Sequence, residues 1–188
     1  MSRVVHDGPL IIGGGLAGLS VALAAEPSKV LLISPAPLLQ AASSAWAQGG
    51  VAAALSADDA PALHAADTMA AGAGLVEAEA TRALTDEGRA TVEWLADLGA
   101  PFDRDAEGRF AVSLEAAHSR ARVARVGGDG AGKAILSALV TSVRAAPHVT
   151  VWEDARLRAL IQDVSGRICG AVIERGGRRV EVLASSVV

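Results

Sequence analysis

The sequence predicts an α/β fold in which a parallel sheet carries helices on both faces. Residues 4–33 read as a βαβ unit, with a strand at 4–12 that has a short polar interruption, a helix at 16–25 and a second strand at 29–33. Both strands are almost continuously apolar, which is typical of strands buried on both faces. Short strand-like segments within residues 157–183 are separated by glycine turns, and they predict an antiparallel β-meander.

The segments between these two parts follow in order. Residues 34–53 combine prolines, glycines and small polar residues, which predicts a long loop of the kind that often carries function. Residues 60–98 have helical composition, in helices at 60–71 and 77–98. The positions expected to point inward include Leu84, Val92, Leu95 and Leu98. Another helix at 130–144 and a strand at 149–152 lead into the meander.

Composition narrows the class of protein. The chain has 188 residues, 51% of them hydrophobic, and a net charge of −4, so we expect no nucleic acid and no anionic membrane as partner. The apolar stretch at 9–25 is interrupted by three consecutive glycines and is too short to span a bilayer. With a single cysteine, Cys169, and no secretory pattern at the start, the sequence indicates a cytoplasmic protein.

The loop after the first strand carries the first motif, G-x-G-x-x-G. It reads Gly13, Gly14, Gly15, Leu16, Ala17 and Gly18. In this setting Gly13 permits a tight turn, Gly15 lets the backbone approach a pyrophosphate, and Gly18 lets helix and strand pack closely. The free N–H groups of the helix start attract phosphate. The motif therefore predicts dinucleotide binding, with a merely tight strand-to-helix turn as the alternative.

An acidic residue is expected about 20 positions after such a loop, where it holds the adenosine ribose. The sequence has Ser34 there, and a hydroxyl is a weaker ribose clamp than a carboxylate. No nearby arginine suits a 2′-phosphate. Ser34 therefore weakens the nicotinamide interpretation without favouring NADP.

A second motif favours a flavin. It consists of Ser43, Ser44, Ala45, Trp46, Ala47, Gln48, Gly49 and Gly50, followed by Val51-Ala52-Ala53. This stretch resembles the S-x-x-x-A-Q-G-G-[IV]-A segment of the L-aspartate oxidases, in the succinate dehydrogenase and fumarate reductase flavoprotein family. The resemblance implies a Rossmann-like FAD-binding domain whose loop lies against the FAD. Adjacent glycines do allow a backbone to approach a flat ring closely. A glycine-rich turn without a ligand is the alternative.

The same resemblance indicates how the FAD is held. Respiratory members of the family carry a histidine in this loop that bonds covalently to the flavin, and the aligned position here is Ser43. The resemblance therefore implies non-covalent FAD and favours the aspartate oxidase branch or a soluble fumarate reductase. We predict no metal site.

A third motif points to the substrate. Residues 114–123, within the segment 112–125, resemble the family's R-E-G-G-H-S-x-x-R stretch, with Ala116 and Ala117 replacing the glycines. The resemblance implies that Glu115 faces the substrate's amino group, since a carboxylate pairs with an ammonium. His118 is expected to orient substrate or flavin. A solvated loop position for Glu115 and a structural role for His118 are the alternatives.

One glycine-rich segment resembles a different nucleotide motif. Residues 127–133 fit G-x-x-x-x-G-K, but Ala134 stands where a P-loop needs a Ser or Thr to ligate Mg²⁺. The segment also resembles the family's D-A-T-G stretch, which opens a helix beside the cofactor. Helix capping by Asp129 explains it equally well.

Together the motifs imply a function by resemblance. The complete enzyme would oxidise L-aspartate to iminoaspartate, with O₂ or fumarate as electron acceptor, and feed quinolinate synthase and NAD synthesis. The capping and C-terminal helical domains of the family are absent from these residues. We therefore expect an incomplete fold that is inactive alone. The alternatives are a soluble fumarate or succinate flavoprotein and a non-catalytic dinucleotide-binding module.

Overall fold

The computed structural model describes residues 2–40 and 42–188. The chain forms two compact units, one made of Met1–Ala45 with Leu136–Val188 and the other of Trp46–Ile135. The strands are β1 (Ser2–Val5), β2 (Pro9–Ile12), β3 (Val30–Ile33), β4 (Val51–Ala52), β5 (Val112–Ser113), β6 (Val123–Ala124), β7 (Val149–Trp152), β8 (Ala155–Gln162), β9 (Ile168–Arg175), β10 (Arg178–Leu183) and β11 (Ser186–Val187). The α-helices are α1 (Leu16–Ala24), α2 (Pro61–Ala71), α3 (Ala78–Asp86), α4 (Gly88–Asp97) and α5 (Ala131–Ala145), and a short 3₁₀ helix spans Ser43–Trp46.

The first unit is built on a parallel sheet, in the order β11-β2-β3-β7. Every residue of β3 is buried, which confirms the prediction drawn from its continuous apolar sequence. Helix α1 packs on β2 and β3 and buries Leu19 and Ala22. The predicted βαβ arrangement is therefore present, and α1 covers one face of the sheet.

The other face of the parallel sheet is covered by strands. The predicted meander forms, with β8, β9 and β10 antiparallel in sequence. One buried cluster contains residues of both sheets, namely Leu10, Leu31, Ile33, Ala155, Ala171, Ile173 and Val182. The expectation of helices on both faces is therefore wrong for this face. Apolar side chains on one side of the meander pack against the parallel sheet, and this sheet-on-sheet packing removes both apolar surfaces from water.

The predicted strand over residues 4–12 is in fact two strands in different sheets. Val4 and Val5 lie in β1, which runs parallel to β10 at the edge of the meander sheet. The chain turns at Gly8, whose φ is +152° and whose missing Cβ would overlap the carbonyl of Lys29. This close approach lets β2 enter the parallel sheet, so the βαβ unit begins at Pro9 rather than at residue 4.

The second unit combines helices α2, α3 and α4 with a small antiparallel sheet, in the order β4-β6-β5. The helix predicted over 77–98 divides between Asp86 and Gly88 into α3 and α4. Val92 and Leu95 are buried as predicted, whereas Leu84 is 76% exposed. The buried stripe of α3 is instead formed by its threonines, Thr81 and Thr85. Among the described residues, no helix combines the length and apolar content needed to cross a bilayer.

Candidate functional site

The glycine loop has the geometry that its sequence predicted. The N–H of Gly13 donates to the carbonyl of Ile33 at 2.9 Å, and the φ of Gly13 is +128°, so the turn requires a glycine. A Cβ on Gly18 would overlap the carbonyl oxygen of Gly13. The helix therefore starts in direct contact with the turn that precedes it.

The start of α1 offers free N–H groups. The first hydrogen bond into the helix joins the N–H of Leu19 to the carbonyl of Gly15 at 3.0 Å, and the N–H of Leu16 donates to Ser44 Oγ at 3.3 Å. The N-cap residue is Gly15, which has no side chain that could accept hydrogen bonds from the N–H groups of the first helical turn. The amides of Ala17 and Gly18 thus remain available, and the helix dipole adds positive partial charge there.

A cavity of about 230 Å³ opens beside this helix start. Its lining residues are Gly13, Gly14, Gly15, Ser34, Pro35, Pro37, Leu39, Ala42 and Ser43. None of these side chains is charged, so no carboxylate repels an anion at the free amides. Gly15 adopts ordinary dihedrals and its missing Cβ leaves room beside the backbone. These features fit the diphosphate of a dinucleotide.

Ser34 occupies the position expected for a ribose clamp. It is 3% exposed, lines the cavity, and donates its hydroxyl proton to the carbonyl of Ala36 at 2.7 Å. Because that proton is used, the hydroxyl of Ser34 can serve a ribose only as an acceptor. Ser43, which the sequence resemblance aligns with the flavin-linked histidine of the respiratory members, lines the same cavity.

Glu153 supports the loop that follows β3, and the sequence motifs did not predict this role. Its carboxylate accepts the N–H of Leu38 at 2.9 Å and pairs with Arg144 at 3.2 Å. The available signal was an acidic residue directly after β7, because the carboxyl ends of neighbouring parallel strands share one edge of the sheet.

In the second unit, the remainder of the predicted FAD loop is fixed by backbone contacts. Gly50 has a φ of +144°, and a Cβ there would overlap the carbonyl of Ala124 in β6. The carbonyl of Ala47 accepts the N–H of Gly132 at 2.9 Å, which ties the loop to the start of α5. Gln48 is exposed, and Trp46 is 82% exposed.

Glu115 lies beside this loop. Its Oε1 is 3.2 Å from the point where a Cβ of Gly49 would stand, so the bare glycine leaves space for the carboxylate. The side chain is exposed, and no ion pair to it occurs within the described ranges. The arrangement leaves the Glu115 carboxylate accessible to a cation, as its predicted role requires.

The same segment is anchored by a buried ion cluster that sequence reasoning missed. The guanidinium of Arg122 is fully buried and grips the fully buried carboxylate of Asp59 with two bonds of 2.9 Å. Its Nη1 donates to Asp67 at 2.7 Å. The sequence signal was a pair of acidic residues at a largely apolar predicted helix. Asp59 lies just before the helix at 60–71, and Asp67 lies within it.

Asp67 joins this cluster to the turn that follows Glu115. One of its oxygens accepts the N–H and the hydroxyl of Ser119, each at 2.7 Å. These two hydrogen bonds, followed by the bond and charge of Arg122, lower the pKa of Asp67 to about 2. Asp67 therefore stays ionised across the physiological range.

Two histidines border the cluster. The rings of His64 and His118 are 5.6 Å apart, and Nδ1 of His118 lies 3.4 Å from Nη1 of Arg122. Burial lowers the pKa of His64, with the charge of Arg122 as the next cause, so its ring is neutral at neutral pH. The structure thus brings Glu115 and His118 together on one turn, as their sequence spacing required.

Ala117 holds a strained conformation in this turn. Its φ is +66°, where the resembled family motif carries glycine. We expect Ala117→Gly to stabilise the chain by up to about 1 kcal/mol, because relief of the left-handed strain exceeds the entropy cost of glycine. Ala116→Gly is the matched control, since its φ is not positive and the substitution adds only entropy cost. Urea denaturation should separate the two variants by about 1 kcal/mol or more, and equal stabilities would contradict the strain.

The glycine loop, the free amides at the start of α1 and the cavity beside them form a cradle for a diphosphate. Together with the fold, this cradle defines a dinucleotide-binding domain. A family model described as "FAD binding domain" matches residues 9–188 of this chain. The chain therefore belongs to the FAD-binding domain family, and FAD is its cofactor.

Two curated relatives are both named L-aspartate oxidase. That of Caulobacter vibrioides is 56% identical over 189 residues, which are 99% of this chain and 37% of the relative. That of Agrobacterium fabrum is 43% identical over 167 residues, covering 87% of this chain and 32% of the relative. The chain thus spans about a third of the length of these relatives.

Solved structures agree on the fold. Sdh1 of Mycobacterium smegmatis superposes with a TM-score of 0.91 at 27% identity, over 100% of this chain and 34% of Sdh1. Quinol fumarate reductase FrdA of E. coli gives 0.93 at 24% identity, over 100% of this chain and 32% of FrdA. These neighbours place the fold among the succinate dehydrogenase and fumarate reductase flavoproteins.

Proposed function

We propose that this chain supplies the cofactor-binding and amine-recognising part of an enzyme that oxidises L-aspartate to iminoaspartate. The observation that carries the proposal is the Glu115 carboxylate, which is exposed, lies beside Gly49, and is held on an anchored turn. L-aspartate oxidases at 56% and 43% identity support the same substrate. Iminoaspartate would then serve quinolinate and NAD synthesis, with quinolinate synthase as the enzyme that follows.

The chemistry assigns a separate task to each group. FAD, when bound, would supply the redox chemistry as a two-electron acceptor, with O₂ or fumarate as the final electron acceptor. Glu115 pairs with the substrate ammonium, which distinguishes aspartate from succinate. His118 orients the substrate by a hydrogen bond to it. The free amides of Ala17 and Gly18, with Ser34 and Ser43 nearby, hold the diphosphate and ribose part of FAD.

The flavin part of the proposal has a direct test. The purified chain, titrated with FAD and desalted, is expected to stay yellow and to release all its flavin on denaturation, because Ser43 cannot form the histidyl bond. Flavin that stays attached after denaturation would contradict non-covalent binding.

The substrate part is tested in a chimera, in which this chain replaces the matching segment of the Caulobacter enzyme. We expect the chimera to release peroxide when L-aspartate and O₂ are supplied. The unmodified Caulobacter enzyme is the positive control. A chimera that binds FAD but never oxidises aspartate would contradict the proposal.

Glu115→Gln in this chimera separates aspartate from amine-free dicarboxylates. We expect kcat/KM for L-aspartate to fall by at least about tenfold, because the amide loses the charge that pairs with the ammonium. Fumarate reduction by the same variant should change little. Glu107→Gln, an exposed position on another loop, is the control.

Fumarate or succinate is the second candidate substrate, and a solved quinol-fumarate reductase, at 25% identity over the whole chain, favours it. Under this candidate, wild-type chimera would reduce fumarate yet show no aspartate-dependent bleaching of the flavin. Equal loss of both activities in Glu115→Gln would likewise argue against an amine-specific role.

A further inference from the structure

The ion cluster around Arg122 reaches beyond its two carboxylates. Two of the guanidinium nitrogens are used on Asp59 and the third on Asp67. That third nitrogen, Nη1, also lies 3.4 Å from Nδ1 of His118. Arginine has only donors and stays protonated, so the partner atom on the histidine ring must be an acceptor.

A neutral imidazole carries one proton, on one of its two ring nitrogens. If Nδ1 of His118 accepts from Arg122, the proton resides on Nε2. Within the described residues Nε2 of His118 has no hydrogen-bond partner, and it is not among the buried unpaired side-chain atoms. Nε2–H is therefore a donor that faces solvent and is free to bind a ligand acceptor.

The backbone around His118 is held by the same cluster. Asp67 accepts hydrogen bonds from the N–H and hydroxyl of Ser119, the residue after His118, and Arg122 follows three residues later. The ring of His64 packs against that of His118 at 5.6 Å, and its lowered pKa keeps a second positive charge away from Arg122. Both the position and the rotation of the His118 ring are thus restricted.

We propose that Arg122 and Asp67 are positioning residues, which hold His118 in the tautomer with its proton on Nε2 so that it donates to a carboxylate of a dicarboxylate substrate. The substrate part rests on the proposed function, whereas the tautomer does not. An ammonium group offers no acceptor to this donor, whereas a carboxylate oxygen accepts its proton in a strong hydrogen bond.

The tautomer is read from long-range ¹H–¹⁵N spectra of the uniformly ¹⁵N-labelled chain at about pH 8, where histidine is neutral. The chain has four histidines, and His118→Gln and His64→Gln assign the two signals of interest. We expect His118 to show one protonated nitrogen, Nε2, and an unprotonated, hydrogen-bonded Nδ1. A proton on Nδ1, or an even mixture of tautomers, would overturn the proposal.

Arg122→Lys tests the cause while keeping the positive charge. Lysine cannot reach both carboxylates and the ring in the fork geometry of arginine, so His118 should become a mixture of tautomers. Asp67→Asn, which spares the grip on Asp59, should give a smaller change in the same direction. His148 is the internal reference, because its Nε2 lies 3.0 Å from the carbonyl of Ala22 and should keep its proton in every variant. An unchanged His118 in Arg122→Lys would refute the role of Arg122.

The substrate link is tested in the chimera. Asp67→Asn and Arg122→Lys should raise KM for L-aspartate about tenfold while kcat changes less than about threefold, since ground-state orientation and not the chemical step is lost. His118→Gln should raise KM as well. A fall in kcat with constant KM would overturn the positioning role. Failure of the proposed function looks different, because the wild-type chimera would then be inactive while the NMR result still stood.

Discussion

Replacing Arg122 by methionine is expected to lower the free energy of unfolding by about 3–5 kcal/mol, because the buried Asp59 carboxylate loses its counter-ion. Both side chains are fully buried, so solvent cannot compensate for the missing charge. Methionine fills similar volume, and the loss therefore reports charge rather than packing. Urea denaturation followed by circular dichroism measures it.

Arg158→Met is the matched control. Arg158 grips Glu174 with the same two-bond geometry, at 3.1 and 2.8 Å, but this pair lies at the surface. Exposed ion pairs contribute little to stability, so the free energy of unfolding of this variant should remain close to that of the original chain. Equal losses in the two variants would contradict the role of burial.

A double variant isolates the unpaired charge further. Asp59→Leu combined with Arg122→Met removes both buried charges, and apolar replacement of a buried ion pair is often neutral. We expect it to recover much of the stability lost in Arg122→Met. If the double variant were the less stable of the two, the loss would come from packing and not from the stranded carboxylate.

Gly15→Val is expected to weaken FAD binding by at least about 100-fold, because its side chain occupies the approach to the free amides of α1. Loss of two hydrogen bonds to a charged group is enough for a change of that size. The fold should survive, since the φ of Gly15 is −88° and the nearest atom to its added Cβ is 3.5 Å away.

Ala24→Val is the control for added bulk in α1. Ala24 is exposed and lies at the far end of the helix, so FAD affinity should be unchanged. FAD fluorescence titrations of the chain and of the chimera give the affinities, and thermal melts without FAD check the fold. Gly15→Val that binds FAD normally, or that unfolds the chain, would contradict the arrangement of the cradle.

Much of the first unit was predictable because its signals are local. The continuous apolar residues of β3 indicate a buried strand, and the turn at Gly13 lies within a few residues of both elements it connects. The meander likewise follows from glycine turns between short strands. Each of these patterns is set by neighbours in sequence, which limits the alternatives to a few.

The errors arose where distant segments compete. Local sequence predicted one strand from Val4 to Ile12. In the structure its first part pairs with β10 and its second part pairs with β3. Leu84 has the composition of an inward residue, yet threonines form the buried side of α3. Both outcomes depend on the shape of a partner element, which a window of ten residues does not contain.

The site divides in the same way. The sequence by itself determined the glycine cradle, the flavin and the motif containing Glu115 and His118, because each depends on residue types at short, fixed spacing. Only the tertiary structure decided that Arg122 joins Asp59 and Asp67, which precede it by 63 and 55 residues. Those partners meet only after the chain has folded, since a buried cation selects its carboxylates by distance in space and not by distance in sequence.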